Sequence, residues 1–109
     1  MYVRTLTFEC RSDVGQRDIE TVYHELIDVA SRRDGFAGST LMMSEDACRG
    51  MAMIFWRDQQ AATDASDELV ELLGSRIHDL LDHPPDIAGY LVLDDRFVDH
   101  EQAVIENRQ

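Results

Sequence analysis

The sequence predicts an α+β domain of element order strand, helix, strand, strand, helix, strand, and three observations lead there. Two stretches carry apolar residues at helical three- and four-residue steps, and each is flanked by short β-rich runs. The two runs between them are separated by only a turn-forming pair, which makes them a hairpin. Met51, Ala52, Met53, Ile54, Phe55 and Trp56 are apolar without a break, so both faces of a strand there leave water. A split βαββαβ chain of this kind builds a four-stranded antiparallel sheet with both helices on one face. Two helices cover only that face. The other needs cover from outside the chain, and a second copy is the simplest cover.

The first strand is expected over Tyr2 to Cys10. It places Tyr2, Leu6, Phe8 and Cys10 on one face, interrupted by Arg4, and Val3, Thr5, Thr7 and Glu9 on the other. Asp13 suits the cap of a first helix over about Val14 to Arg33, whose stripe is Ile19, Val22, Tyr23, Leu26, Ile27 and Ala30. Asp34-Gly35 ends it, Gly35 serving the left-handed position. Phe36 to Ser44 and Ala47 to Arg57 form the hairpin around Glu45-Asp46. Asp58 caps a second helix reaching about Leu81, and Pro84-Pro85 forbids its continuation. Ile87 to Leu93 makes the fourth strand, apolar on both faces. Residues 1–95 thus form one domain, and 96–109 a polar, acidic tail with a short helix beginning near Asp99.

A chain of 109 residues suits one domain, and 44% apolar with 29% charged residues is the balance of a folded protein. A formal charge of -12 excludes a nucleic-acid partner, because phosphates are neutralised by clustered basic side chains and none are clustered here. No apolar run approaches the roughly 20 residues of a membrane helix, and no signal peptide opens the chain, so no membrane and a cytoplasmic location are expected. Cys10 and Cys48 read as small buried hydrophobes in that compartment, although pairing is open to them. No metal-ligand spacing or nucleotide fingerprint is present, so no cofactor is expected.

The helix-to-strand corner Asp34-Gly35-Phe36-Ala37-Gly38, followed by a hairpin ending Ile54-Phe55-Trp56-Arg57-Asp58 and a helix, resembles the antibiotic biosynthesis monooxygenase-like family of the dimeric α+β barrel superfamily. The resemblance spans roughly Tyr2 to Asp94. It implies a ferredoxin-like protomer, a homodimer joined through the sheet faces, and a pocket in each protomer between its own sheet and helices. The superfamily holds cofactor-free oxygenases, haem-degrading enzymes, other enzymes and proteins without a known reaction, so fold alone does not set activity. Haem-degrading members carry an Asn near the end of the first strand and a Trp and a His on the second helix; here Phe8, Ala65 and Ser75 fall in or near those places. The His that many oxygenase-like members show after the strand-ending Trp is also missing, where the chain reads Ala61-Ala62-Thr63-Asp64-Ala65-Ser66.

What the resemblance implies is a small-molecule pocket protein similar to cofactor-independent monooxygenases acting on hydrophobic aromatic or polyketide-like compounds, the substrate itself supplying electrons to oxygen after losing a proton. The alternative is a non-catalytic ligand- or haem-binding or regulatory member. Four side chains are the candidate ligand contacts. Trp56 shares its strand face with Ala52 and Ile54 and serves as a pocket wall, Phe8 lies on the corresponding face of the first strand, and Arg4 interrupts that face. Arg76, at about 100° per residue, falls near the centre of the second helix's apolar face, between Leu73 and Leu80, where a guanidinium needs a carboxylate, an exit to solvent or a cavity. His24 and His78 lie opposite the apolar stripes and His83 and His100 in a turn and the tail, so no His-based acid or base is expected.

Overall fold

The computed structural model describes residues 1–45 and 49–96. Cys48, the Asp46 half of the hairpin turn, and the tail with its expected short helix near Asp99 lie outside the described residues. The order is β1 (Tyr2–Glu9), α1 (Gln16–Ala30), β2 (Phe36–Met43), β3 (Arg49–Trp56), α2 (Gln59–Arg76) and β4 (Asp86–Leu91). The strands form one antiparallel sheet in the order β2-β3-β1-β4. This is the ferredoxin-like βαββαβ arrangement.

Alternation along β1 and β3 decides what the helices cover. Tyr2, Leu6, Ala52, Ile54 and Trp56 are buried against Leu26 and Ala30 of α1 and Ala61, Ala62 and Ala65 of α2. Phe8 and Cys10 form a second cluster with Ile19 and Leu81 at the other end of the sheet. The three alanines let α2 approach the sheet closely, because a methyl group is all that stands between its backbone and the strands. On the opposite face Met51, Met53 and Phe55 are half-buried. Val3 is shielded there by Phe55 and Tyr90, opposite it on the neighbouring strands. In the single chain β4 is not buried on both sides as its sequence suggested: Tyr90 is 57% and Leu91 70% exposed.

Helix boundaries differ from the sequence expectation for local reasons. α1 starts at Gln16, with Gly15 as N-cap, because the Asp18 carboxylate accepts from the Gly15 N–H at 3.2 Å and does the work assigned to Asp13. α2 stops at Arg76: Leu80 and Leu81 donate back to the Ile77 carbonyl, Arg11 donates to the Leu80 carbonyl at 2.8 Å, and Leu81 bridges Cys10. The chain past Arg76 is therefore held to the end of β1 instead of continuing the helix. Cys10 is buried but disulfide-bonded, which corrects its reading as a reduced core thiol. No helix among the described residues is long and apolar enough to cross a membrane.

Asp58 caps α2 as expected, accepting from the Ala61 N–H at 2.9 Å. That hydrogen bond, more than the neighbouring Arg57, holds the Asp58 carboxyl below its ordinary 3.8. A depressed folded-state value means that the stabilisation is complete above the ordinary value and fades as pH falls through and below it. Replacing Asp58 with Ala is expected to lower the melting temperature at pH 7 by roughly 5 °C. Asn, a cap that does not titrate, should recover most of that loss and remain a cap at pH 3, where the wild-type advantage over Ala narrows.

Candidate ligand-binding site

Among the described residues, two cavities between the sheet and the helices stand out. The smaller, about 50 Å³, sits at the Phe8 end under α1 and is apolar apart from Tyr23, whose hydroxyl donates to Ser39 Oγ at 2.6 Å. It has room for water but not for an organic ring, since a cavity of about 150 Å³ is needed for benzene. The larger, about 200 Å³, opens between α2 and the β1–β4 side of the sheet. Leu6, Leu26 and Leu73 line both and so partition them.

The larger cavity is walled by Trp56, Ile54 and Leu69, with Ser66 the one neutral polar side chain and Arg4 the one charged side chain of its lining. Trp56 is 1% exposed and meets Phe36 edge to face, ring centres 5.9 Å apart. Its position follows from the corner around it. Gly35 has φ +89°, a conformation that costs a side-chain-bearing residue strain, and a Cβ there would fall 2.5 Å from the Ala61 Cβ. The Gly35 carbonyl accepts from the Arg57 N–H at 2.7 Å, and the Arg57 guanidinium reaches both Asp34 and Asp58 at 3.4 Å. The Asp34 hydrogen bond chiefly, then Asp58, raises the Arg57 pKa. The two sequence stretches that carry the family resemblance are thus one structural unit.

Arg4 pairs across the sheet with Ile54 on one side and Gly89 on the other. Its guanidinium carbon lies 5.2 Å from the centre of the Tyr2 ring. Gly89 makes this possible: a Cβ there would overlap the Tyr2 hydroxyl and come within 2.9 Å of Arg4 Nη1. Val70 of α2 and Ile87 of β4, 50% and 48% exposed, border the opening.

Of the four residues singled out in the sequence, Trp56 and Arg4 come together in the larger cavity, while Phe8 lines the smaller one. Arg76 lines neither. It is the last residue of α2, and its Nη2 pairs with Glu25 Oε1 of α1 at 2.7 Å on the outer seam between the helices. At the helix terminus its long side chain reaches past the core to that carboxylate. Sequence reasoning passed over Ser66 and Gly89. The row Ala62, Ser66, Leu69, Leu73 at helical spacing contains the first; the second depends on cross-strand register, which no local pattern carries. Among the described residues no group of three or more His, Cys, Asp or Glu is arranged to hold a metal ion.

A four-stranded ferredoxin-like sheet with two helices on one face and an apolar cavity between them defines the class of fold. No protein-family model matches the chain, and no curated protein sequence does. Solved structures match its fold. SnoaB, a cofactor-independent oxygenase from Streptomyces nogalater, superposes with a TM-score of 0.70 at 14% identity, over 86% of this chain and 94% of that one. A candidate antibiotic biosynthesis monooxygenase from Nitrosomonas europaea gives 0.72 at 16% identity, over 86% of this chain and 100% of that one. A protein of unknown function from the same organism gives 0.71 at 12% identity, over 90% and 94%. The fold is that of antibiotic biosynthesis monooxygenase-like proteins, in agreement with the resemblance read from the Gly35 corner and Trp56.

Replacing Arg76 with Met is expected to cost less than about 1 kcal/mol in urea unfolding, as for other solvent-accessible ion pairs. Binding in the larger cavity should be unchanged in the same variant.

Proposed function

We propose that the chain is a small-molecule pocket protein of the antibiotic biosynthesis monooxygenase kind, acting without a cofactor on hydrophobic aromatic or polyketide-like compounds. The observation that carries this reading is the larger cavity: apolar, walled by Trp56, about 200 Å³, with Arg4 as the one charge of its lining. In such a site the cation favours the anion of an ionisable ring hydroxyl, and the apolar walls, which by themselves oppose the charge, strengthen its attraction to that cation. The electron-rich anion is the reductant: dioxygen takes its electrons, one oxygen atom enters the ring as a carbonyl and the other leaves as water. The lining holds no His, Asp or Glu among the described residues, so the proton is assigned to solvent at the opening beside Val70 and Ile87. Phe8, in the adjoining small cavity, supports the partition instead of touching the ligand.

Oxygen consumption with a panel of dihydroxyaromatic compounds tests this. Uptake that requires the protein and is indifferent to chelators and added flavin is expected. Ligands that bind without oxygen uptake would make the chain a non-catalytic binding member of the same fold.

The same reading includes a homodimer joined through the open sheet faces, each burying Met51, Met53 and Phe55. A stable interface of this kind buries more than about 1,000 Å² in total. Sedimentation should give a dimer at micromolar concentration, and Met53→Asp, which sets a carboxylate in the middle of the face, should give monomers or unfolded protein. A folded wild-type monomer contradicts the dimer without touching the pocket. The cytoplasmic location that the sequence suggested is opposed by the disulfide at Cys10, since thiols in that compartment stay reduced. Thiol titration of freshly lysed cells decides: a reduced Cys10 supports the cytoplasm, and an oxidised one an oxidising compartment.

A further inference from the structure

Among the described residues Arg4 is the half-buried arginine whose guanidinium has no hydrogen-bond or ion-pair partner; Arg17 and Arg49 also lack one but are exposed to water, and Arg11 donates to the Leu81 carbonyl. Arg33, the other half-buried arginine among the described residues, pairs with Glu68 and donates to the Asp64 carbonyl. Arg32, Arg57, Arg76 and Arg96 are each matched to a carboxylate. The Arg4 guanidinium has no hydrogen bond or ion pair among the described residues; it lies over the Tyr2 ring, and Arg4 lines an apolar cavity. In a chain with 22 acidic residues, a carboxylate to match it would be easy to supply. A guanidinium offers five donors in a planar fork that suits a carboxylate or an ionised phenol. Leaving that fork unmatched at the edge of an apolar chamber keeps it free for an acceptor that arrives with a ligand.

Size and field restrict that ligand further. The cavity exceeds the roughly 150 Å³ that holds one benzene ring by a modest margin, so it accommodates one or two rings. A third would either protrude through the opening beside Val70 and Ile87, where it gains little burial, or push through the Leu6, Leu26 and Leu73 partition into a space of only about 50 Å³. A net charge of -12 repels anions from the protein as a whole, so an anionic ligand needs a local cation to hold it.

We propose that the larger cavity selects one- or two-ring aromatic anions, their carboxylate or phenolate oxygen bound by Arg4 beside Gly89 and their rings against Trp56. This rests on the reading of the cavity as the ligand site and deepens it by naming charge and size.

Trp56, the single tryptophan of the chain, supplies the readout through its fluorescence. The probes are 2-naphthoate, its neutral isostere naphthalene-2-carboxamide, and the three-ring 2-anthroate. Wild-type protein is expected to bind naphthoate at least about tenfold more tightly than the carboxamide, the advantage of a hydrogen bond to a charged partner, and more tightly than anthroate. Arg4→Met should erase the preference for the anion and leave carboxamide binding in place. Equal affinity for naphthoate and carboxamide in the wild type would overturn the role of Arg4 while leaving the cavity as a ligand site. Anthroate binding as tightly as naphthoate would overturn the size limit. Failure of all three to change Trp56 emission at millimolar concentration would overturn both this inference and the pocket reading beneath it. Should Arg4→Met not fold, the wild-type ratio still decides.

Discussion

A hydrogen bond of 2.7 Å from the Arg57 amide to the Gly35 carbonyl joins the end of the β3 strand to the start of β2, and the geometry of the site depends on it. With Gly35 in its left-handed conformation and pressed on Ala61, there is one way for α2 to leave the sheet, and Asp58 caps it there. Trp56 is caught inside that corner, between β3 and the first turns of α2. Loss of the corner would change the angle of α2, and with it the separation of Val70 and Ile87 at the cavity opening. The charged partners of Arg57 lie on the surface and add little by themselves; the glycine and the backbone bond set the arrangement.

The second constraint is the arithmetic of covering a sheet with two helices. Small residues on α2 allow close packing over Trp56 and Ile54, while farther along the helix the larger Leu69 and Leu73 pack against the same core and line the cavity. Ile87 of β4 and Val70 of α2 complete its lining toward the β4 edge of the sheet. Arg4 lines that cavity with its guanidinium over the Tyr2 ring. The opposite sheet face is apolar for a different reason: no element among the described residues packs over it, and its methionines and phenylalanine suit a partner more than water.

Much of the fold was legible because it rests on local signals. The stripe from Ile19 to Ala30, the Asp58 cap, the Gly35 stop and the unbroken apolar run of β3 each report on the residues within a few positions of themselves, and helix and strand identity followed. The helix ends were less legible, because Asp18 took over capping from Asp13 and because Leu81 is drawn from α2 by its bridge to Cys10, a contact between residues distant in the chain. The site was half legible. Trp56 and Arg4 could be placed on a strand face by alternation alone, whereas Arg76 needed knowledge of where its helix ended and that Glu25 stood opposite. Gly89 was invisible as a site residue, since its meaning lies in the two side chains that cross it.

A crystal structure of the protein soaked in 2-naphthoate is the most direct measurement of whether the gap between β1 and α2 is a binding site built around one cation. The account predicts density for the rings against Trp56 with the carboxylate within hydrogen-bond distance of the Arg4 guanidinium. Naphthoate seated on the open sheet face, or in the cavity with its carboxylate turned away from Arg4, would contradict it.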